Sequence, residues 1–171
     1  MSLKSSLEFA VDDRRASLLA AFKPSSIVMF GASENPNKIG GRPLKFFRQC
    51  GFSGIVTPIH AERSEIQAYR TAPSIEAIDH TPDLAIVALP GELAIDSVRR
   101  CAKAGVRNTI VMSSGFGETD DVGKERQQRM LAIAAEARMR IIGPNTQGMA
   151  NFSNGMVASF STMFIEAAPK D

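Results

Sequence analysis

Five short segments gather the residues of this chain that could do chemistry: Gly31-Ala32-Ser33, His60 to Arg63, Pro90-Gly91, Ser113-Ser114-Gly115-Phe116-Gly117 and Gly143-Pro144-Asn145. Each directly follows a short apolar run, and four of the five contain glycine. Glycine lets a ligand come close to the backbone, and free N–H groups at the start of a following helix favour phosphate. The first segment runs on through Lys38 to the pair Gly40-Gly41, so it combines a hydroxyl at Ser33, a cation at Lys38 and two glycines before a helix. That set suits a diphosphate with a larger group attached. The loop is too long for the tight turn of a dinucleotide fingerprint, and no Gly-Lys-Ser/Thr triplet of a Walker loop occurs.

The remaining candidates have plainer readings. His60 has no carboxylate or nucleophile placed beside it by sequence, and both it and His80 are expected to be surface histidines. Glu118, Asp120 and Asp121 read as acids favourable to the dipole of a following helix, not as a metal site. Cys50 and Cys101 form no Cys-x-x-Cys pair and are expected to be buried thiols. Phe116, between two glycines, could equally fill the core or line a pocket.

The elements that must position these turns alternate between short apolar runs and helical patterns. Strands are expected at 26–30, 55–59, 84–89, 108–112 and 140–142, and a further one at 156–160 is compatible with the pattern. Helices are expected from Pro43 to about Gln49, with Ala94, Val98, Cys101 and Ala102 on one face of the next, and from about Val122 to Arg138. Residues 60–80 read as irregular structure with a short helix after Pro73. The continuous apolar run at 84–89 is what a parallel strand covered on both faces requires. The fold class is therefore α/β, a Rossmann-like doubly wound parallel sheet with helices on both faces. Its ligands belong at the carboxyl ends of the strands, where the five segments lie. Residues 1–22 are expected as a helical appendage, with Leu18 and Leu19 touching the body. Residues 23–160 form the nucleotide-binding-type domain, and 161–171 are the tail and the expected start of a linker.

The 171 residues suit one such domain, and 44% hydrophobic composition gives it a real core. Twenty Lys and Arg against eighteen Asp and Glu leave +2, too weak a field to argue for nucleic acid or an anionic membrane. No apolar run reaches the roughly 18 residues of a membrane span, and the start lacks the apolar stretch of a secretory signal, so a cytoplasmic address is expected.

Taken in order, Gly31-Ala32-Ser33, Pro36-x-Lys38-x-Gly40, Gly51-Phe52-x-Gly54, Pro73-Ser74-Ile75, Pro82-Asp83-Leu84-Ala85-Ile86, Ser114-Gly115-Phe116-x-Glu118 and Gly143-Pro144-Asn145 resemble the amino-terminal CoA-binding domain of the NDP-forming acyl-CoA synthetases, relatives of the succinyl-CoA synthetase α subunit. The likeness runs from about Leu18 to Phe160. It implies coenzyme A as the ligand, with its diphosphate at Gly31, Ala32 and Ser33 and a positive charge at Lys38. It further implies an adenine end shaped by Pro90, a pantetheine arm along Ser114, Gly115 and Phe116, and a thiol end near Asn145. Two positions depart from the family: His60-Ala61-Glu62 stands where Asn-Pro-Lys is common, and Thr146 replaces the usual Cys. Arg63 is the residue placed to supply the missing charge.

The resemblance also implies that a ligase domain with a phosphorylated histidine and an ATP-grasp module lie outside this chain, on the same protein or a partner subunit. The isolated domain is then a binding module without activity of its own. Two other functions stay open at this level. An NAD(P)-binding oxidoreductase domain would use Glu62 on the ribose, and a non-catalytic CoA-sensing module would use the same site as a ligase.

Overall fold

The computed structural model describes residues 15–166. Five strands build its sheet: β1 (Ser26–Phe30), β2 (Ile55–Ile59), β5 (Leu84–Val87), β6 (Asn108–Val111) and β7 (Arg140–Ile142). They run parallel in the order β2-β1-β5-β6-β7. Between β2 and β5 the chain forms a two-residue-loop hairpin, β3 (Glu65–Ile66) with β4 (Tyr69–Arg70), where the sequence suggested irregular structure. The segment after Pro73 closes as a three-residue 3-10 turn, Ile75–Ala77, shorter than the helix expected there. A second hairpin, β8 (Gly148–Asn151) with β9 (Met156–Ser159), stands apart from the main sheet.

Alternation along the strands explains why all five residues of β1 are buried. Ile27 and Met29, with Leu84, Ile86 and Ile110, face Leu44 and Phe47 of helix α2 (Arg42–Gln49) and Met156 and Ala158 of β9. Val28 and Phe30, with Ala85, Val87 and Val111, face α3 (Gly91–Lys103) and α4 (Asp121–Glu136). A strand residue points to the opposite face from its neighbour, so a strand covered on both sides must be apolar throughout. Each fully buried Leu, Ile or Phe contributes about 1.5–3 kcal/mol. Pro58 lies in β2, an edge strand, and its carbonyl accepts from Ala72 N–H at 3.0 Å on the side away from β1, so its missing N–H lies on that same side and costs no bond to β1.

The helix that enters the described region, α1 at 15–22, is fastened differently from expectation. Leu18 and Leu19 are exposed; Ala21 is the buried contact, and the bonds come from Ser17, whose carbonyl accepts from Asn108 Nδ2 at 3.0 Å and whose hydroxyl accepts from Arg140. This attachment lies at the amino-terminal edge of the sheet, opposite the strand ends where a ligand would sit. Residues 1–14 of the expected appendage and 167–171 of the expected tail lie outside the described residues.

Candidate functional site at the strand ends

The site grows from a topological necessity. From β1 the chain crosses by α2 to β2 on one side, whereas β5 leads by α3 to β6 on the other. The two helices cover opposite faces, which leaves a crevice at the carboxyl ends of β1 and β5. Gly31 takes φ +77 there, and a Cβ on it would stand 2.5 Å from Ala88 O and 3.1 Å from Leu89 Cδ2. The first turn is therefore stacked directly on the turn that carries Pro90. Leu89 O accepts from the Ser113 hydroxyl, and Ser113 O accepts from Asn145 N–H at 2.9 Å. Gly31, Pro90, Ser114 with Gly115, and Asn145 thus belong to consecutive turns joined to one another along one edge.

The first turn opens into a loop that is fixed at both ends. Ser33 N–H donates to Gly40 O at 3.0 Å, Asn35 N–H donates to the Ser33 hydroxyl at 3.2 Å, and Lys38 N–H donates to Asn35 O at 3.2 Å. Gly41 and Arg42 N–H both donate to Lys38 O, leading into α2. The amides of Ala32, Glu34, Ile39 and Gly40 meet no acceptor among the described residues. Lys38 is exposed and carries no ion pair among those residues. Open N–H groups beside a cation at a helix start, on a helix with no acid in its first turn, are a set whose chemistry suits an anion such as phosphate.

Arg63 is exposed in the turn that follows β2, the neighbour of β1. His60 Nδ1 accepts the N–H groups of Glu62 and Arg63 at 3.2 and 3.1 Å, so this ring shapes the turn and its Nδ1 lone pair is occupied. Pro90 is exposed at the amino-terminal cap of α3, and beside it Glu92 pairs with Arg126 and Arg129, whose bonds hold its carboxyl below the usual range. Ser114 and Asn145 are exposed.

Phe116 requires a correction as a pocket residue. Its side chain is completely buried in the core formed by α3, α4 and the sheet, so only its backbone belongs to the turn. Glu118 also differs from the reading of its sequence: it reaches back to cap Gly115 N–H at 2.6 Å and Phe116 N–H at 3.3 Å, leaving Asp120 to cap α4 at Gly123 N–H, 2.7 Å away. Hydrogen bonds from its own amide and from those of Gly115 and Phe116 keep the Glu118 carboxyl below the usual carboxylate range. Thr146 Oγ1 accepts from Gly148 N–H at 3.2 Å and shapes the entry to β8.

Among the described residues no cluster of His, Cys, Asp or Glu could hold a metal. Cys101 is buried, and desolvation pushes its thiol up to about 12; Cys50 is only half-buried, against expectation. No helix among these residues is long and apolar enough to cross a membrane.

A five-stranded parallel sheet with linked glycine turns at its switch point defines a Rossmann-like α/β domain. Comparison with known proteins narrows the class. A family model described as CoA binding domain matches residues 25–151, and the chain belongs to that family. It is 35% identical over 140 residues to the ADP-forming acetate–CoA ligase II of Archaeoglobus fulgidus, covering 82% of this chain and 21% of the ligase. It is 32% identical over 142 residues to the α subunit of the corresponding Pyrococcus furiosus enzyme, covering 83% of this chain and 31% of the subunit. An apo structure of dinucleotide-forming acetyl-coenzyme A synthetase 1 from Ca. Korarchaeum cryptofilum superposes with a TM-score of 0.79 at 31% identity, over 84% of this chain and 31% of that one. The chain therefore spans about a fifth to a third of the length of these relatives. Coenzyme A is the ligand of the family, and the NAD(P) alternative finds no support in it.

Proposed function

We propose that this chain is the CoA-binding module of a larger, cytoplasmic ADP-forming acyl-CoA synthetase, an acid–thiol ligase acting through an acyl phosphate. A ligase domain and an ATP-grasp module, on the same protein or a partner subunit, supply the phosphoryl transfer. The chain's own task is to hold CoA so that its thiol meets the acyl phosphate. Attack of the sulfur on the acyl carbon forms the thioester and releases phosphate, a step for which orientation is the main contribution a binding module can make. In this reading the diphosphate rests on Gly31, Ala32 and Ser33 and on the open amides of the following loop, with Lys38 and Arg63 supplying charge. Pro90 borders the adenine end, and the pantetheine arm follows Ser114 and Gly115 toward Asn145.

The observation that carries this reading is the line of bonded turns from Gly31 through Leu89 and Ser113 to Asn145, ending the strands around one crevice. Calorimetric titration tests it. CoA should bind the chain more tightly than NAD, and added salt should weaken binding because exposed charges carry part of it. Lys38→Ala should cost about 1–3 kcal/mol, the range of a charge-assisted hydrogen bond, while Glu62→Ala leaves affinity unchanged or slightly improved. Preference for NAD, or indifference to Lys38 with loss at Glu62, would refute the assignment.

A further inference from the structure

One polar side chain has no part in the site as built so far. Gln67 lies at the tip of the β3–β4 hairpin, outside every segment assigned to CoA. Its side-chain Nε2 donates to Ser33 O at 2.7 Å and to Gly41 O at 3.0 Å, the carbonyls at opposite ends of the phosphate-facing loop. With the Ser33 N–H to Gly40 O bond beside them, these contacts draw the mouth of the loop closed. The Gln67 backbone N–H donates to Glu34 Oε2 at 3.1 Å, so an acidic residue of the loop is held on the hairpin. Behind the tip, Arg48 of α2 donates to Gln67 O and lies 5.6 Å from the centre of the Tyr69 ring, while the Tyr69 hydroxyl donates to Leu44 O at 3.2 Å. A Cβ at position 41 would stand 3.1 Å from Gln67 Nε2 and 1.9 Å from Asn35 O, so glycine at 41 is what lets the loop fold onto the carboxamide.

The backbone supplies a second argument. Gln67 and Ala68 take φ +48 and +64. A two-residue hairpin loop of this hand is normally made by Asn-Gly, and Gln with Ala hold it under strain. Such strain persists where the surroundings over-determine it, and it collects at ligand clamps. Here the surroundings are the two loop carbonyls, Glu34 and Arg48.

We infer that Gln67 is a positioning residue that latches loop 33–41 in its phosphate-receiving shape before CoA arrives, making the hairpin a working part of the site without contact to CoA. This rests on the CoA reading above. Its benefit is preorganisation: a loop ordered in advance need not be ordered by the ligand.

Two variants of the 171-residue chain separate the latch from general stability. Gln67→Met keeps the length and removes the donors. Gln67→Asn keeps the amide and suits the left-handed backbone better, but is one methylene too short to reach. In both, ligand-free hydrogen exchange at the Lys38 and Gly41 amides should quicken about tenfold, and CoA affinity should fall about tenfold, as expected for loss of two ordinary hydrogen bonds. Exchange in β1 and β5 should be unchanged, saturating CoA should restore protection, and the salt dependence of binding should match wild type because Lys38 remains. Unchanged exchange in the loop, exchange that rises across β1 and β5, or a flattened salt dependence would each overturn the latch. Failure of the wild-type chain to bind CoA would refute the functional reading instead, while the exchange contrast still decides whether Gln67 holds the loop.

Discussion

Substituting Gly31 by alanine tests the seam on which the whole site depends, and the structure supplies a matched control at Gly115. Both glycines take left-handed backbone, φ +77 and +93. Either alanine variant therefore incurs a backbone cost of about 1–2 kcal/mol. At Gly31 the new Cβ would also stand 2.5 Å from Ala88 O and 2.8 Å from Ala88 C, where the obstacle is backbone that cannot swing aside. Pushing the β5 turn away adds an overpacking penalty of about 1–3 kcal/mol. At Gly115 nothing lies within 4 Å, so the backbone cost stands alone. Gly31→Ala should then destabilise the domain by about 1–3 kcal/mol more than Gly115→Ala, read from urea unfolding midpoints at unchanged slope. It should also lose CoA affinity, because the β1 and β5 turns no longer meet. Equal destabilisation, or a milder effect at Gly31, would refute the claim that these two turns are stacked.

Three further outcomes follow from the same geometry. Phe116→Ala should cost about 3–5 kcal/mol of stability in chemical unfolding, as a buried aromatic does; loss of CoA affinity at full stability would return the ring to the pocket. Glu76 is held down to about 2, first by its bond from Arg100 and then by Ser74. A depressed carboxylate stabilises the fold above its ordinary value of 4.5 and loses that contribution as pH falls toward about 2, so the melting-temperature gap between wild type and Glu76→Gln should close over this window. A gap that widens on acidification would contradict the assignment. Finally, the isolated chain should make no acyl-CoA from acid, ATP and CoA; turnover above a no-protein control that survives repurification would show chemistry that the proposed division of labour does not allow.

The sheet was legible because its strands obey a simple rule. Residues 84–87 are buried on both faces and are accordingly Leu-Ala-Ile-Val, and the turns after the strands carry the glycines that close approach demands. The elements that escaped notice break the corresponding rules. The β3–β4 hairpin turns on Gln67-Ala68, where the usual turn chemistry is Asn-Gly, so nothing local announces it. Gln67 itself gives no sequence signal, since its partners Ser33 and Gly41 lie 34 and 26 residues away. Leu18 and Leu19 looked like packing residues by type, but Ala21 and the Ser17 bonds hold α1, and apolar character alone does not decide which face of a short helix is covered. Phe116 was ambiguous for a related reason: a turn at a strand end can point a side chain into the crevice or back into the core, and α3 and α4 supply the core.

The central claim, that CoA lies along the carboxyl ends of the strands with its diphosphate on the first turn, is tested most directly by following backbone amides in the isotope-labelled chain during a CoA titration. The largest shifts should fall on Ala32, Ser33, Glu34, Ile39 and Gly40, whose N–H groups other than that of Ser33 lack acceptors in the structure, and continue through Gly91 and Gly115 to Asn145. Shifts gathered instead on the opposite edge, where Ser17, Pro82, Asp83, Gly105 and Asn108 border a groove of about 480 Å³, would contradict it.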